Sequence, residues 1–258
     1  MEEYLLSHIL DLARQSKRKG KTFFSDFLGV SEQGSLANIL QGETIEGTPF
    51  LSFGGHQEAE RKMIAFFPSE EEKQAFLEEE ELQKEGIRCI KLTPRCKKEE
   101  KELGHRDYLG ALMSLGIKRE SIGDILYEGS LCYLYLSPLA AQEALGNLDS
   151  VGRVPIQTEE VSLSSCALSF HKEEIRLSVS SLRLDNILSS VAHLSREEAK
   201  NYVLGERVHL SLHPNPKPDT ILLPNERVSV EGWGKFLFLE EIGISKKGKS
   251  VILIEKFL

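Results

Sequence analysis

Cationic side chains with the spacing of a phosphate-binding surface lie in the stretch 181–236. Arg196 and Lys200 are four residues apart, so they project from the same side of a helix. Arg183 belongs to the preceding helix and joins them if the two helices pack side by side. Such a ledge of cations can contact the phosphates of a nucleic acid, and Ser195 next to it can donate a hydroxyl hydrogen bond.

Further cations extend this candidate surface along the chain. Arg207 follows the second helix, Lys235 follows the only tryptophan, Trp233, and a basic turn adds Lys246 and Lys247. Arg207 and Lys235 are predicted to contact phosphates. Lys246 and Lys247 have two interpretations, a solvated basic turn or a further part of the RNA-binding surface. The Trp233 indole has two interpretations, a half-buried structural ring or a platform on which a base stacks.

Two short helices must position the first three cations. The first helix has apolar residues at one-face spacing, and its predicted N-cap is Ser181. The second begins with a capping box, in which Ser195 and Glu198 are three residues apart. Gly205 is predicted to supply the left-handed residue after that helix ends.

The charge of the chain is distributed unevenly. The 258 residues carry a formal net charge of −8, with 28% charged and 40% hydrophobic residues. Residues 181–258 hold 11 Lys and Arg against 10 Asp and Glu, whereas residues 69–85 hold 8 Glu against 2 Lys. The net charge of the chain therefore does not favour binding to nucleic acid. Any such binding must come from a local patch that recognises the shape of the nucleic acid.

Composition also limits the class of protein. The length allows two or three modules, and no stretch of eighteen residues is apolar enough to span a membrane. The acidic start lacks a signal-peptide pattern, and the four cysteines form no Cys-x-x-Cys pair. We therefore predict a cytoplasmic protein with reduced thiols, no metal site and no cofactor.

The order of elements predicts an α+β fold with three parts. Residues 1–80 read as an N-terminal module of helices and strands. Residues 81–165 read as strand, helix, two strands, helix, strand, which predicts an RRM-like (ferredoxin-like) domain with helices on one face of a sheet. The third part is 180–258.

The first helix of the chain ends in four cations that suit either a helix C-terminus or contact with RNA. These cations are Arg14, Lys17, Arg18 and Lys19.

The third part resembles the S4 RNA-binding domain. The matching residues, in order, are Arg183-Leu184-Asp185, Ser195-Arg196, Ala199, Gly205, Val208 and the strand around Val228. The resemblance implies a domain of the αL type that presents cations from helices to folded RNA. The sequence departs from the S4 pattern after the glycine, where it reads Val208-His209-Leu210-Ser211.

The whole chain resembles the YlmH-like family of bacterial S4-domain proteins. The supporting motifs are Phe53-Gly54-Gly55, Ala59-Glu60-Arg61, His105 to Leu112, Leu115-Gly116-Ile117, Arg119-Glu120, Ile122-Gly123-Asp124-Ile125 and Gly232 to Phe236. The Pro-Arg pair that usually follows Asp-Phe-Leu in that family is missing after Leu28. A second RNA surface is predicted from Arg61, Arg106 and Arg119.

Motifs that suggest catalysis are better explained otherwise. Arg183-Leu184-Asp185 resembles the catalytic segment of pseudouridine synthases, but here it belongs to the S4 helix, where Asp185 is predicted to orient Arg183 or Arg196. His105-Arg106-Asp107 lacks the other kinase motifs, and Gly232-x-Gly234 lacks the third glycine of a dinucleotide site. We therefore predict no catalytic residue.

The resemblance implies a non-enzymatic protein that binds structured RNA. Its expected partners are rRNA and tRNA on the large ribosomal subunit, in rescue or quality control of stalled translation, with a link to cell division. No membrane partner is expected. Two alternatives stay open, an RNA-modifying enzyme and an adaptor that binds division proteins through the acidic helix at 69–85.

Overall fold

The computed structural model describes residues 2–40, 42–95, 103–129, 131–166, 168, 172–211, 213, 216–245 and 248–257. Its chain separates into two compact units. Unit 1 contains Met1–Gly29 and Ile39–Leu168, and unit 2 contains Val30–Asn38 and Ser169–Leu258. The division into three domains at 1–80, 81–165 and 180–258 stays a prediction.

The fold is α+β with antiparallel sheets, in agreement with the predicted class. The helices are α1 Glu2–Lys19, α2 Val30–Ser35, α3 Ala37–Leu40, α4 Glu70–Glu78, α5 Glu80–Gln83, α6 His105–Ser114, α7 Pro138–Asn147, α8 Leu184–Val191 and α9 Arg196–Leu204, with 3-10 turns at Arg119–Ser121 and Leu163–Ser165. The strands are β1 Phe23–Phe24, β2 Thr44–Ile45, β3 Thr48–Phe53, β4 Met63–Phe66, β5 Arg88–Pro94, β6 Ile122–Glu128, β7 Leu131–Leu136, β8 Ser150–Val151, β9 Val154–Val161, β10 Lys172–Val179, β11 Val208–Leu210, β12 Glu226–Val230, β13 Gly234–Ile244 and β14 Ser250–Phe257.

Unit 1 begins with a small sheet in the order β1-β4-β3-β2. Every residue of β4 is buried, which requires cover on both faces of the sheet because successive side chains point to opposite faces. The helix α1 packs on β3 and β4 through a stripe that buries Ile9, Leu12 and Ala13. Phe76 of α4 packs with Phe67 at a centroid distance of 5.1 Å.

The second sheet of unit 1 has the order β6-β7-β5-β9-β8, all antiparallel. One face carries α6 and α7, whose Tyr108, Leu112 and Ala141 join the same core as Ile90 and Leu134. The side chains of Cys89, Tyr133 and Tyr135 alternate with these and so point to the opposite face. That face forms a separate core with Phe27, Met63, Ile87 and Leu163. The sheet is thus buried on both sides at its centre.

A buried carboxylate connects the early segment of unit 1 to this sheet. Asp124 of β6 accepts hydrogen bonds from the backbone N–H groups of Glu60 at 2.8 Å and Arg61 at 3.0 Å. The Nε2 atom of His56 lies 3.1 Å from its Oδ2 atom, and the His56 ring lies against Tyr135 at a centroid distance of 4.7 Å. These contacts fix the segment 54–61 on β6 and β7.

Gly55 is required where this segment crosses the sheet. Its φ is +87°, a left-handed conformation that side chains rarely adopt. A Cβ atom there would lie 2.6 Å from the Tyr135 ring. The Phe53-Gly54-Gly55 motif therefore has a structural explanation.

Unit 2 contains a sheet in the order β10-β14-β13-β12-β11, with α8 and α9 on one face. The predicted apolar stripe of α8 is confirmed, since Leu184, Ile187 and Leu188 are fully buried. The segment 216–222 packs at the start of α8. There the N–H groups of Leu184 and Asp185 donate to the carbonyls of Thr220 and Pro218.

The ends of α8 and α9 differ from two predictions in detail. The N-cap of α8 is Arg183, and the Ser181 hydroxyl instead accepts a hydrogen bond from the Asn186 side chain. Gly205 has a φ of −85°, and the left-handed residue is Glu206, with a φ of +56°. The prediction at Gly205 is wrong by one residue because the helix runs one step further before the chain reverses toward β11.

We predict that Asp124→Asn destabilises the protein. Burial opposes ionisation of this carboxyl, yet the bonds from His56, Glu60 and Arg61 outweigh it and hold its pKa below the usual value. An asparagine has one acceptor oxygen and turns an N–H group toward another donor, so we expect a loss of about 1–3 kcal/mol in the free energy of unfolding at neutral pH. Urea titration of the full chain measures this loss.

The pH dependence of the same variant gives a control. A carboxyl whose pKa is lowered by folding stabilises the protein above its unfolded pKa of about 4, and this stabilisation is lost as pH falls through the folded value. The difference between wild type and Asp124→Asn should therefore shrink in acid. A difference that is constant with pH would show that the ionised carboxylate is not the stabilising form.

Candidate RNA-binding site

The candidate site is built around the carboxylate of Asp185, in the first turn of α8. Arg183 Nε donates to Asp185 Oδ1 at 3.0 Å, and an Arg183 terminal nitrogen donates to Oδ2 at 2.8 Å. This two-point geometry is the strong form of an arginine–carboxylate pair. The predicted bond between Asp185 and Arg183 is therefore present. The Asp185 side chain is 5% exposed and that of Arg183 41%, so a buried anion holds a cation that remains accessible.

The electrostatics of this pair include Lys200. The hydrogen bonds from Arg183 are the main cause that holds the pKa of Asp185 below its usual value, against the effect of burial. The charges of Arg183 and Lys200 and the backbone N–H of Asn186 act in the same direction. Asp185 thus lies within electrostatic range of cations from both sides of the α8–α9 pair.

Arg196 is tied to the same region by a chain of side-chain hydrogen bonds. Its terminal nitrogen donates to the Ser180 hydroxyl at 2.7 Å, and that hydroxyl donates to Asn186 Oδ1 at 3.1 Å. Asn186 belongs to α8, directly after Asp185. We call Arg183, Arg196 and Lys200, with their anchor Asp185, the α8–α9 ledge.

Ser195 has a confirmed structural function at the start of α9. Its hydroxyl oxygen accepts from the Glu198 N–H at 3.1 Å, and the Glu198 carboxylate accepts from the Ser195 N–H at 2.8 Å. This is the capping box that the spacing predicted. The Ser195 oxygen is used as an acceptor, and its hydroxyl proton can still donate to a ligand.

Arg207, Trp233 and Lys235 lie at one end of the unit 2 sheet. Arg207 pairs with Glu231 at 3.1 Å, and its guanidinium lies over the Tyr202 ring at 4.0 Å. Trp233 is half-buried, with its ring edge-on to Phe236 and the Lys256 ammonium 4.7 Å from its centroid. These contacts favour the structural interpretation of the indole. Lys246 and Lys247 lie outside the described residues.

The residues of the predicted second surface have unequal accessibility. Arg61 donates to the carbonyls of Ile122, Phe27 and Arg119, so its guanidinium connects three segments of unit 1. Arg119 donates to the Ile122 carbonyl at 2.8 Å. Arg106 is exposed in the first turn of α6. The structure thus shows a structural use for two of the three cations, and their contact with RNA stays a prediction.

Sequence reasoning did not anticipate Ser180 and Asn186 as parts of the site. Their polar side chains carry no motif, and only the packing of α8 against α9 brings them between Arg196 and the ledge. In the described part of the chain, no group of three or more His, Cys, Asp or Glu is arranged to hold a metal ion. No described helix is long and apolar enough to cross a membrane.

Comparison with known proteins supports one family. Residues 95–165 match the family model described as "Putative RNA-binding domain in YlmH". A curated relative from Bacillus subtilis (strain 168), "Ribosome-associated protein quality control protein P2", is 28% identical over 99% of this chain and 95% of its own length.

The chain is similar to proteins of the YlmH-like family, in agreement with the resemblance that its motifs predict. The matched model covers α6, β6, β7, α7, β8 and β9, and so includes Arg106 and Arg119 but not the α8–α9 ledge. Among solved structures, "Cell division protein ylmH from Streptococcus pneumoniae" is 17% identical, covers 64% of this chain and 93% of its own, and has a TM-score of 0.47.

We predict that Asp185→Asn weakens binding of the chain to structured RNA. The substitution removes a negative charge, so simple electrostatics would strengthen attraction to RNA. If Asp185 positions Arg183, the opposite result follows, because an amide cannot accept both guanidinium bonds. Affinity should fall while the slope of log K against log salt stays nearly constant, since no cation is lost.

The matched control for this prediction is Glu241→Gln, which makes the same charge change at an exposed residue of unit 2. Binding by the two variants is compared by cosedimentation with purified large subunits, after urea titration has shown that both are folded. Stronger binding by Asp185→Asn would show that the carboxylate acts as a repulsive charge and does not position Arg183.

Proposed function

We propose that this YlmH-like protein is a non-enzymatic RNA-binding protein that recognises structured RNA through the α8–α9 ledge. The carrying observation is the buried Asp185 carboxylate, which holds Arg183 at 2.8 and 3.0 Å while leaving its guanidinium accessible. Fixing a long side chain before binding lowers the conformational entropy that is lost when a ligand docks.

The architecture supports an S4 domain of the αL type in unit 2. Two short packed helices and an antiparallel sheet place Arg183 directly before α8, and Arg196 and Lys200 on α9. In unit 1, the order β6-β7-β5-β9 with α6 and α7 on one face supports an RRM-like arrangement for the middle of the chain. We propose both assignments as the finer description of the α+β fold.

The proposed target is rRNA and tRNA on the large ribosomal subunit, bound in the cytoplasm during rescue or quality control of stalled translation. Support comes from the name of the Bacillus subtilis relative and from the description of the matched RNA-binding domain. The physical argument is that 181–258 carries nearly balanced charge. A protein of this kind binds through a local, fixed set of cations that fits the shape of a folded RNA.

The proposal that the protein has no catalytic function rests on the use of Asp185. The residue that would be the nucleophile of a pseudouridine synthase has both carboxylate oxygens engaged by Arg183. An RNA-modifying activity would need a different site. The adaptor alternative would use the acidic helices α4 and α5, which carry exposed glutamates at 70–72.

We predict that Arg196→Ala combined with Lys200→Ala weakens binding to large ribosomal subunits and lowers the salt slope by about two units. Each phosphate contact that is lost removes about 0.9 from that slope for a duplex. Cosedimentation through sucrose gradients at several salt concentrations gives both quantities. The control is Lys73→Ala with Lys84→Ala, which removes two cations that pair with glutamates in α4 and α5.

The outcomes distinguish the candidate functions. Loss of binding and slope in the α8–α9 variant alone supports the RNA proposal. Equal effects in both variants would mean that only net charge matters. Unchanged binding in the α8–α9 variant removes the ledge from the interface, and retention of a division phenotype by that variant would favour the adaptor.

A further inference from the structure

A second cluster of cations lies in unit 1, at the C-terminal end of α1. Lys17, Arg18 and Lys19 form the last turn of the helix, and Lys21 follows Gly20. All four cations are exposed. We call them the α1 cluster.

No aspartate or glutamate in the described part of the chain forms a salt bridge with the α1 cluster. Lys19 donates to the Gln15 side chain at 2.9 Å and lies 5.1 Å from the Phe23 ring centroid. Within the described ranges, Lys17, Arg18 and Lys21 have no salt bridge to an aspartate or glutamate. Other cations of unit 1 are paired, such as Arg14 with Glu46 at 2.6 Å and Lys73 with Glu70 at 3.0 Å.

The helix dipole explains only part of this arrangement. Cations in the last turn of a helix are favoured by its negative end, and the effect falls off beyond that turn. Lys21 lies past the end of α1, where Gly20 has a φ of +61° and reverses the chain. Four neighbouring cations also repel one another, and a bound polyanion would relieve this repulsion.

The sheet face that an RRM-like domain uses for RNA is closed in this protein. Such domains stack bases on exposed aromatic side chains of the central strands. Here Tyr133 and Tyr135 of the central strand β7 point to the face opposite the helices, but they are 3% and 0% exposed. Phe27 and Met63 pack over them, and the Tyr135 hydroxyl donates to the Leu163 carbonyl at 3.2 Å. No base can reach these rings without unfolding that core.

We propose that unit 1 contacts RNA through the α1 cluster, as a phosphate-binding surface used in place of the closed sheet face. The inference rests on the proposed function of the chain and adds a second contact to the α8–α9 ledge. Cations on flexible stems suit the sugar–phosphate backbone and carry little information about base sequence. Unit 1 then contributes affinity and salt dependence to binding, and not base recognition.

The test is the variant Arg18→Gln with Lys21→Gln in the full chain. We expect weaker binding to purified large ribosomal subunits and a salt slope reduced by about 1.5 to 2 units. The matched control is Lys73→Gln with Lys84→Gln, which makes the same charge change on the same unit and should leave the slope unchanged. The conservative variant Arg18→Lys with Lys21→Arg keeps both positive charges and should show the wild-type salt slope.

The results separate this inference from the proposed function. If wild type binds and the α1 variant keeps its full slope, the α1 cluster is not an RNA contact, and a lower melting temperature alone would assign it to helix stability. If wild type itself stays unbound, the ribosomal proposal has failed. The inference is then tested by measuring the binding of wild type and the α1 variant to unfractionated tRNA. An unchanged salt slope in the α1 variant overturns it.

An anionic membrane is the competing partner for a basic helix end. Vesicles of phosphatidylglycerol and phosphatidylcholine in equal amounts test this directly. Flotation of wild type with these vesicles, abolished in Arg18→Gln with Lys21→Gln, combined with unchanged RNA binding, would overturn the RNA assignment.

Discussion

The proposed site depends on the cost of burying a charged carboxylate. Asp185 is almost fully buried, and an ionised group there is stable only if its oxygens are engaged. Arg183 meets this requirement with two hydrogen bonds, and Lys200 contributes its charge. The ion pair that stabilises the buried Asp185 carboxylate therefore also fixes the Arg183 guanidinium at the surface. Structural stability and RNA recognition are, on this account, two consequences of one ion pair.

Unit 1 uses a second buried carboxylate for a different purpose. Asp124 accepts hydrogen bonds from two backbone N–H groups and contacts the His56 ring, all in a segment more than sixty residues earlier. This attaches the early part of unit 1 to the sheet that contains β7, where Phe27 and Met63 cover Tyr133 and Tyr135. This attachment creates a buried aromatic core. It also covers both faces of the sheet at its centre, so any contact between unit 1 and RNA must come from the sheet edges and the helix ends.

The predictions that succeeded depend on short-range spacing. The capping box at Ser195 and Glu198, the apolar stripe of α8 and the bond between Asp185 and Arg183 all involve residues at most seven positions apart. Helix geometry decides such contacts almost alone. The end of α9 shows the limit of this reasoning, since the left-handed residue is Glu206 and not Gly205.

The features that sequence reasoning missed depend on distant segments. The motif residues at 54–61 and Asp124 were recognised as a family pattern, but nothing in their spacing shows that they bond to one another. Arg61 has a charge that suits phosphate, yet its guanidinium donates to the backbone carbonyls of Phe27, Arg119 and Ile122, in two distant segments. The His213–Glu226 pair, 2.7 Å long with a fully buried Glu226, is likewise visible only once the loop packs on the sheet. Tyr133 is buried by segments that are distant in the chain, so the sequence of β7 alone does not predict its burial.

The most direct test of the central claim is chemical cross-linking of the full chain to large ribosomal subunits, followed by identification of the RNA-linked peptides. We expect cross-links within 180–205, from α8 and α9, and within 14–23, from the end of α1, and none from β7. Cross-links concentrated on β7, with none from α8 and α9, would show that the closed face of the sheet is the RNA-binding surface and that the α8–α9 ledge is not.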